Sequence, residues 1–267
     1  MNVSTHANWH PALLDPSGKR QGKPRTCGIT MVIDKGMGNT EFTDLLYTSG
    51  EYLDMIKIGF GTSPLYPRDL LRKKIKLAVE NGIGIMPGGT FLEAAVYNGA
   101  VDAFFESAHD LGFTAIEVSD GTIELSRQER NRIILRAVKE GFRVFTEYGK
   151  KLRKAEFEVT ALADTVHIDI EYGAEMVIVE GRESGKGVGI YNEQGECRDE
   201  VILRALDLIE NPEYLMWEAP RKEQQVHLLK MLGRDVNLGN IAPSDLLSVE
   251  SLRRGLRSDT FCFRKAD

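Results

Sequence analysis

Short apolar runs recur along the chain, each closing on glycine or a polar residue: CGITMVID (27–34), LDMIKIGFG (53–61), GIGIMPGG (82–89), FTAIEVSDG (113–121), RVFTEYG (143–149), AEMVIVEGRES (174–184), YLMWEAP (214–220) and VNLGNI (236–241). Between them lie amphipathic stretches such as RDLLRKKIKLAVENG (68–82), SRQERNRIILRAVKEG (126–141) and RDEVILRALDLIENP (198–212), with apolar residues at helical spacing and a stop at glycine or Asn-Pro. Strand-length runs alternating with helices describe parallel strands joined by crossover helices, and eight strands close a parallel barrel. The pattern predicts a (β/α)8 TIM barrel over residues 24–267, after an N-terminal extension, residues 1–23, that lacks it. A doubly wound open sheet is the alternative. It fits less well, because no GxGxxG follows the first run and 267 residues match the roughly 250 typical of a barrel.

Polar residues inside these runs change the picture from fold to site. Glu147 alternates with Phe145 along a strand whose outer face must meet apolar helices. A carboxylate there is costly, so it is expected to point to the barrel mouth. Glu117, Glu180 and Glu218 recur at corresponding positions, and Lys57 is their cationic counterpart. One buried glutamate would read as a structural residue; four at corresponding strand ends read as a site. Such a ring repels itself unless cations sit among it. Lys35, Lys57, Lys150 and Arg182 are the side-chain candidates, Lys35 and Lys151 equally readable as salt-bridge partners. Oxygen ligands without clustered His or Cys favour Mg²⁺ as an added ion. Glycines in GFGT, PGGT and NLGNIAPSD offer backbone donors to an anion. Asn237, Gly239 and Asn240, before a helix expected near Ser244, occupy the stretch where many barrels hold a phosphate.

Composition narrows the partners. Thirty-four basic against 40 acidic residues give a net charge of −6, which leaves no electrostatic footprint for nucleic acid. No apolar run approaches the roughly 20 residues of a membrane span, and the first residues lack the apolar core of a signal peptide, so a cytoplasmic protein is expected. Cys27, Cys197 and Cys262 are few, distant and odd in number, as reduced thiols are. Oligomeric state is left open, a homo-oligomer included.

The segments DKG (34–36), KIGFGT (57–62), PGGTFLE (87–93), IEVSDG (116–121), TEYGKK (146–151), EGRESG (180–185), WEAP (217–220) and VNLGNI, in that order and at strand ends, resemble the phosphosulfolactate synthase family across roughly residues 24–257. The resemblance implies a Mg²⁺-dependent addition of sulfite to phosphoenolpyruvate, giving a (2R)-phosphosulfolactate. It implies a catalytic acid at the lysine matching Lys150. On that chemistry Glu117, Glu147 and Glu180 are the expected metal ligands, with Asp34 and Asp120 as substitutes if strand registers slip. Lys57 and Arg182 are expected to bind sulfite or the substrate carboxylate, and Lys35, Asn237, Gly239 and Asn240 the rest of the substrate. Phe60, where the family commonly has tryptophan, Tyr148 before the GKK segment and Lys186 depart from its pattern. Two other readings remain: a non-catalytic member like the plant heat-stress-associated proteins, acting by partner binding, and an unrelated aldolase-type barrel with Lys150 or Lys57 as a Schiff-base nucleophile.

Overall fold

All eight apolar runs form parallel strands in the computed structural model, which describes residues 9–150 and 157–263. They are β1 (Thr30–Asp34), β2 (Met55–Ile58), β3 (Gly84–Pro87), β4 (Ala115–Val118), β5 (Arg143–Tyr148), β6 (Met176–Val179), β7 (Leu215–Glu218) and β8 (Asn237–Ile241). The hydrogen-bonded order is β3-β2-β1-β8-β7-β6-β5-β4. The seam between β3 and β4 is bridged by Thr114, whose N–H donates to the Ile85 carbonyl at 3.1 Å and whose hydroxyl accepts from the Ile85 N–H at 2.9 Å. The result is a nearly closed (β/α)8 barrel.

Strands covered on both faces read as continuous apolar runs rather than as alternation. Outward residues such as Val32, Ile56, Ile116, Val144, Val177 and Trp217 join the large core beneath the helices. Inward ones form a separate interior cluster of Ile29, Met31, Met55, Met86, Ala115, Phe145, Met176, Ile178 and Met216. Five methionines suit this space, because an unbranched thioether fills the irregular gaps between eight converging strands.

The surrounding helices, in chain order, are a short α1 (Pro11–Leu14), then α2 (Asn39–Ser49), α3 (Arg68–Glu80), α4 (Gly89–Tyr97), α5 (Val101–Leu111), α6 (Arg127–Lys139), α7 (Val159–Glu171), α8 (Asp199–Leu208), α9 (Lys222–Leu232) and α10 (Leu246–Arg253). Local chemistry sets their ends. The Ser126 hydroxyl and the Glu129 carboxylate form a capping box at the start of α6. Among the described residues no helix is long and apolar enough to cross a membrane.

Two packing features escape the sequence pattern. Lys74 in α3 is fully buried: its ammonium pairs with Asp34, donates to the Met37 carbonyl at 2.8 Å, and lies over the rings of Tyr66 and Phe42. The segment before the barrel is also tied down, through Arg20 to buried Glu250 at 3.1 Å and Lys23 to the Gly50 carbonyl at 2.8 Å.

Candidate active site

The period of two along a strand builds the site directly on the interior cluster. Two residues beyond Met55, Ala115, Phe145, Ile178 and Met216 stand Lys57, Glu117, Glu147, Glu180 and Glu218, all buried. An apolar layer thus carries an ionic layer at the carboxyl ends of the strands, where catalytic groups of such barrels gather. Lys57 lies among the acids. Its Nζ is 2.7 Å from Glu218 Oε1, 3.1 Å from Glu117 Oε2 and 3.8 Å from Glu147 Oε2. Burial alone would depress its pKa, but Glu117, Glu218 and Glu147 outweigh it and hold the amine well above the ordinary lysine range. A lysine kept cationic is a poor nucleophile, which argues against Lys57 as a Schiff-base residue.

Above this layer opens a cavity of about 520 Å³, lined by Lys57, the four glutamates, Gly59, Phe60, Gly88–Thr90, Arg182–Ser184 and Asn240. Phe60, Arg182 and Asn240 are the non-glycine residues at positive φ (54°, 57° and 53°) among the described residues, and all three line this cavity. Such conformations are costly for side-chain-bearing residues and cluster at functional sites. Asn240 owes its position to a bulge: Thr30 and Val32 of β1 pair with Leu238 and Ile241, so β8 carries one extra residue. Its Oδ1 is buried with no hydrogen-bond partner, as suits a ligand contact.

Of the three expected metal ligands, Glu147 and Glu180 come together. Glu147, Glu180 and Glu218 each offer one oxygen within 4.8 Å of the others. Glu117, expected in the set, instead accepts the Gly89 N–H at 2.7 Å and pairs with Lys57. The third member of that trio is Glu218, which the sequence reading put on the same face but not among the ligands. The substitutes are placed elsewhere. Asp34 accepts from the N–H groups of Gly36 and Met37 and from the Tyr66 hydroxyl, and Asp120 lines a neighbouring cavity. Three hard carboxylates without His or Cys fit a small divalent cation such as Mg²⁺.

Lys150 is not in the carboxylate cavity. Gly149, at φ 135°, turns the chain after β5 in a conformation other residues rarely adopt. The Lys150 ammonium then donates to Asp120 O at 2.7 Å, Asp120 Oδ2 at 3.1 Å and Ile123 O at 3.2 Å. It lines an adjacent cavity of about 300 Å³ with Arg127, Arg130 and Gly187–Gly189. Lys35 stands at the rim of the larger cavity, paired with Glu183 at 2.7 Å and 5.6 Å over the Phe60 ring. Lys151 lies outside the described residues.

Two expected substrate-binding residues are corrected. Asn237 begins β8, at the opposite end of the barrel, where its side chain accepts the Ile29 N–H at 2.9 Å and donates to the carbonyls of Glu213 and Leu215. Gly239 faces the interior: an added Cβ would meet Met31 Cε at 3.0 Å and Met216 Sδ at 3.3 Å, so it makes room for methionines. Both differences come from placing NLGNIAPSD at the end of the eighth strand, when its first five residues are the strand itself. Asn237→Ala should therefore cost about 1–3 kcal/mol of stability by stranding buried backbone groups, measured by denaturant unfolding, with KM for substrate unchanged.

A barrel with its ionisable residues gathered around a cavity at the carboxyl ends of the strands has the architecture of a TIM-barrel enzyme. Residues 18–259 match the family described as (2R)-phospho-3-sulfolactate synthase (ComA). The phosphosulfolactate synthase of Methanothermobacter thermautotrophicus is 44% identical over 243 residues, 90% of this chain and 94% of that protein. That of Methanocaldococcus jannaschii is 40% identical over 239 residues, 88% and 94% of the two chains. The YdjI aldolase of Escherichia coli K12 shares the fold alone, with a TM-score of 0.54 at 12% identity over 90% of this chain and 85% of that one. The chain belongs to the (2R)-phospho-3-sulfolactate synthase family.

Proposed function

We propose that this chain adds sulfite to phosphoenolpyruvate to give (2R)-phospho-3-sulfolactate, using a divalent cation held by Glu147, Glu180 and Glu218 and a proton from Lys150. The observation that carries the reading is the layer of four buried glutamates around Lys57 beneath a cavity of small-molecule size. In the addition, the sulfite sulfur lone pair forms a bond to the methylene carbon, C3, and the C2–C3 π electrons move onto the carboxylate. A proton delivered to C2 returns the resulting aci-carboxylate dianion to a carboxylate, leaving the sulfonate on C3 and the phosphoryl group on the C2 oxygen. A bound divalent cation would supply Lewis-acid stabilisation of the developing charge on the carboxylate.

The chain's own residues do the rest. Lys57, fixed in its cationic form, adds positive charge at the floor of the cavity, where a dianion would otherwise be repelled by the glutamates. The Arg182 guanidinium and the Asn240 amide NH2 present donors to the anionic groups of the substrates. Lys150, on a flexible stem just past β5, leaves Asp120 to protonate C2. The presence in this chain of Lys57, Glu117, Glu147, Lys150, Glu180 and Arg182 together favours this enzyme over a protein that acts by partner binding, which has no use for a buried acidic ring.

The deciding experiment incubates purified protein with phosphoenolpyruvate, sulfite and Mg²⁺ and follows the sulfonate product by mass spectrometry. EDTA should abolish product formation and Mg²⁺ restore it. Unchanged turnover in rigorously metal-free protein would remove the cation from the reading, and no product under any condition would remove the reaction. Glu218→Gln, which keeps the volume and loses the charge, should weaken Mg²⁺ binding by roughly 10- to 100-fold in isothermal titration, whereas Glu183→Gln at the rim should leave it unchanged.

A further inference from the structure

Glu93 lies in α4, within the segment PGGTFLE, and is 1% exposed. A carboxylate in that position is costly unless donors surround it, and a single loop supplies them. Glu93 Oε1 accepts from the Ser119 hydroxyl and from the Gly121 N–H at 3.1 Å. Oε2 accepts from the N–H groups of Thr122 at 2.7 Å and Ile123 at 3.1 Å. Three successive N–H groups turned toward one anion make a nest, here closed by the protein's own side chain.

The same loop, between β4 and α6, carries the groups that receive Lys150: the carbonyls of Asp120 and Ile123 and the Asp120 carboxylate. Its peptide groups are therefore divided between an anion that takes the N–H groups and a cation that takes the carbonyls. Arg130 braces the arrangement, donating to Asp120 Oδ1 at 3.3 Å, to Asp169 Oδ2 at 2.7 Å and to the Glu147 carbonyl at 3.0 Å. The cradle of Lys150 is thus tied to the strand that carries Glu147. A lysine on a four-carbon stem has many rotamers open to it, so a rigid cradle decides where its ammonium rests.

We propose that Glu93 is a positioning residue for Lys150: its buried carboxylate shapes loop 119–123 into the cradle that holds the Lys150 ammonium beside the cavity. The consequence for turnover rests on the role of Lys150 given above; the consequence for the lysine itself does not. The experiment reads both, in the full-length protein. The rate at which each lysine is acetylated by a water-soluble succinimidyl ester is measured by peptide mass spectrometry, with exposed Lys76 as the internal reference, and kcat and KM are measured for sulfite addition. Glu93→Gln replaces an acceptor-only group by an amide whose NH2 faces N–H donors. It should raise acetylation of Lys150 several-fold with Lys76 unchanged, and lower kcat by roughly 10- to 100-fold through misplacement of the acid, with KM for phosphoenolpyruvate within about 2-fold. Glu93→Asp, which keeps the charge and shortens the reach, should fall between, and is read in the same way if Glu93→Gln does not fold. Lys150 acetylated at its original rate in a folded variant would overturn the proposal. So would a rise shared equally by all lysines, which marks general loosening. Selective acetylation in a protein that never makes product would keep the positioning role and discard the sulfite reaction.

Discussion

Lys57→Met should lose both stability and turnover. The substitution keeps the unbranched stem and removes the ammonium that lies 2.7 Å from Glu218 and 3.1 Å from Glu117, with Glu147 at 3.8 Å. Removing one partner of a buried ion pair costs about 3–5 kcal/mol, because the remaining charge stays desolvated. Here three acids share the loss, so the upper end is expected in a denaturant titration. Turnover should fall by at least roughly 10³-fold, beyond the effect of losing one oxyanion donor, because the glutamates would face an anionic substrate without their cation. Mg²⁺ should raise the melting temperature of Lys57→Met more than that of the parent, since a divalent ion replaces part of the missing charge. A variant with parental stability and turnover would refute this account of the ionic layer.

How far this site was legible follows from the period of the strands. Glutamate in place of an apolar residue in AIEV, RVFTEY and LMWE is visible without coordinates, and a period of two fixes the face once the strand is known. Glu180 follows β6 directly, and its interior position came from the same counting. The choice among the four acids was not legible. Which of them meet depends on the stagger of the closed sheet, and Glu117 was drawn off by the Gly89 N–H of a different βα unit. Asn240 was proposed from the stretch NLGNIAPSD as part of an anion site, whereas its place at the cavity follows from a bulge in β8 and a positive φ.

Other residues were hidden because their partners are remote in sequence. Lys74 sits in a helix of mixed charge and reads as solvent-facing, yet Asp34, 40 positions earlier, and two aromatic rings bury it. Glu93 reads as one more helical glutamate, although its carboxylate organises a loop 26 to 30 positions away. Periodicity reports which face of an element is covered, not what charge waits on the covering element. The fold, which depends on the former, was therefore clearer than the site.

Lys150→Ala should lower kcat by roughly 10²- to 10⁴-fold, the range for general acid catalysis, while leaving the fold intact. Its side chain is 39% exposed and held by one carboxylate and two carbonyls at the loop surface, so its removal leaves no buried charge behind, and an exposed pair of this kind contributes only about 0–1 kcal/mol. Thermal unfolding should therefore change little, in contrast to Lys57→Met. Lys150→Arg keeps the charge on a planar guanidinium that does not readily release a proton, so it should preserve KM for phosphoenolpyruvate better than kcat. Asp120→Asn weakens the contact at 3.1 Å without removing the amine, so it should lower kcat through misplacement of the acid, as Glu93→Gln does, but by less than Lys150→Ala. If the two variants lose turnover equally, the ammonium acts where it rests, on Asp120, and need not leave it. If Lys150→Ala retains parental kcat, the proton comes from another group and Lys150 serves only to hold the loop.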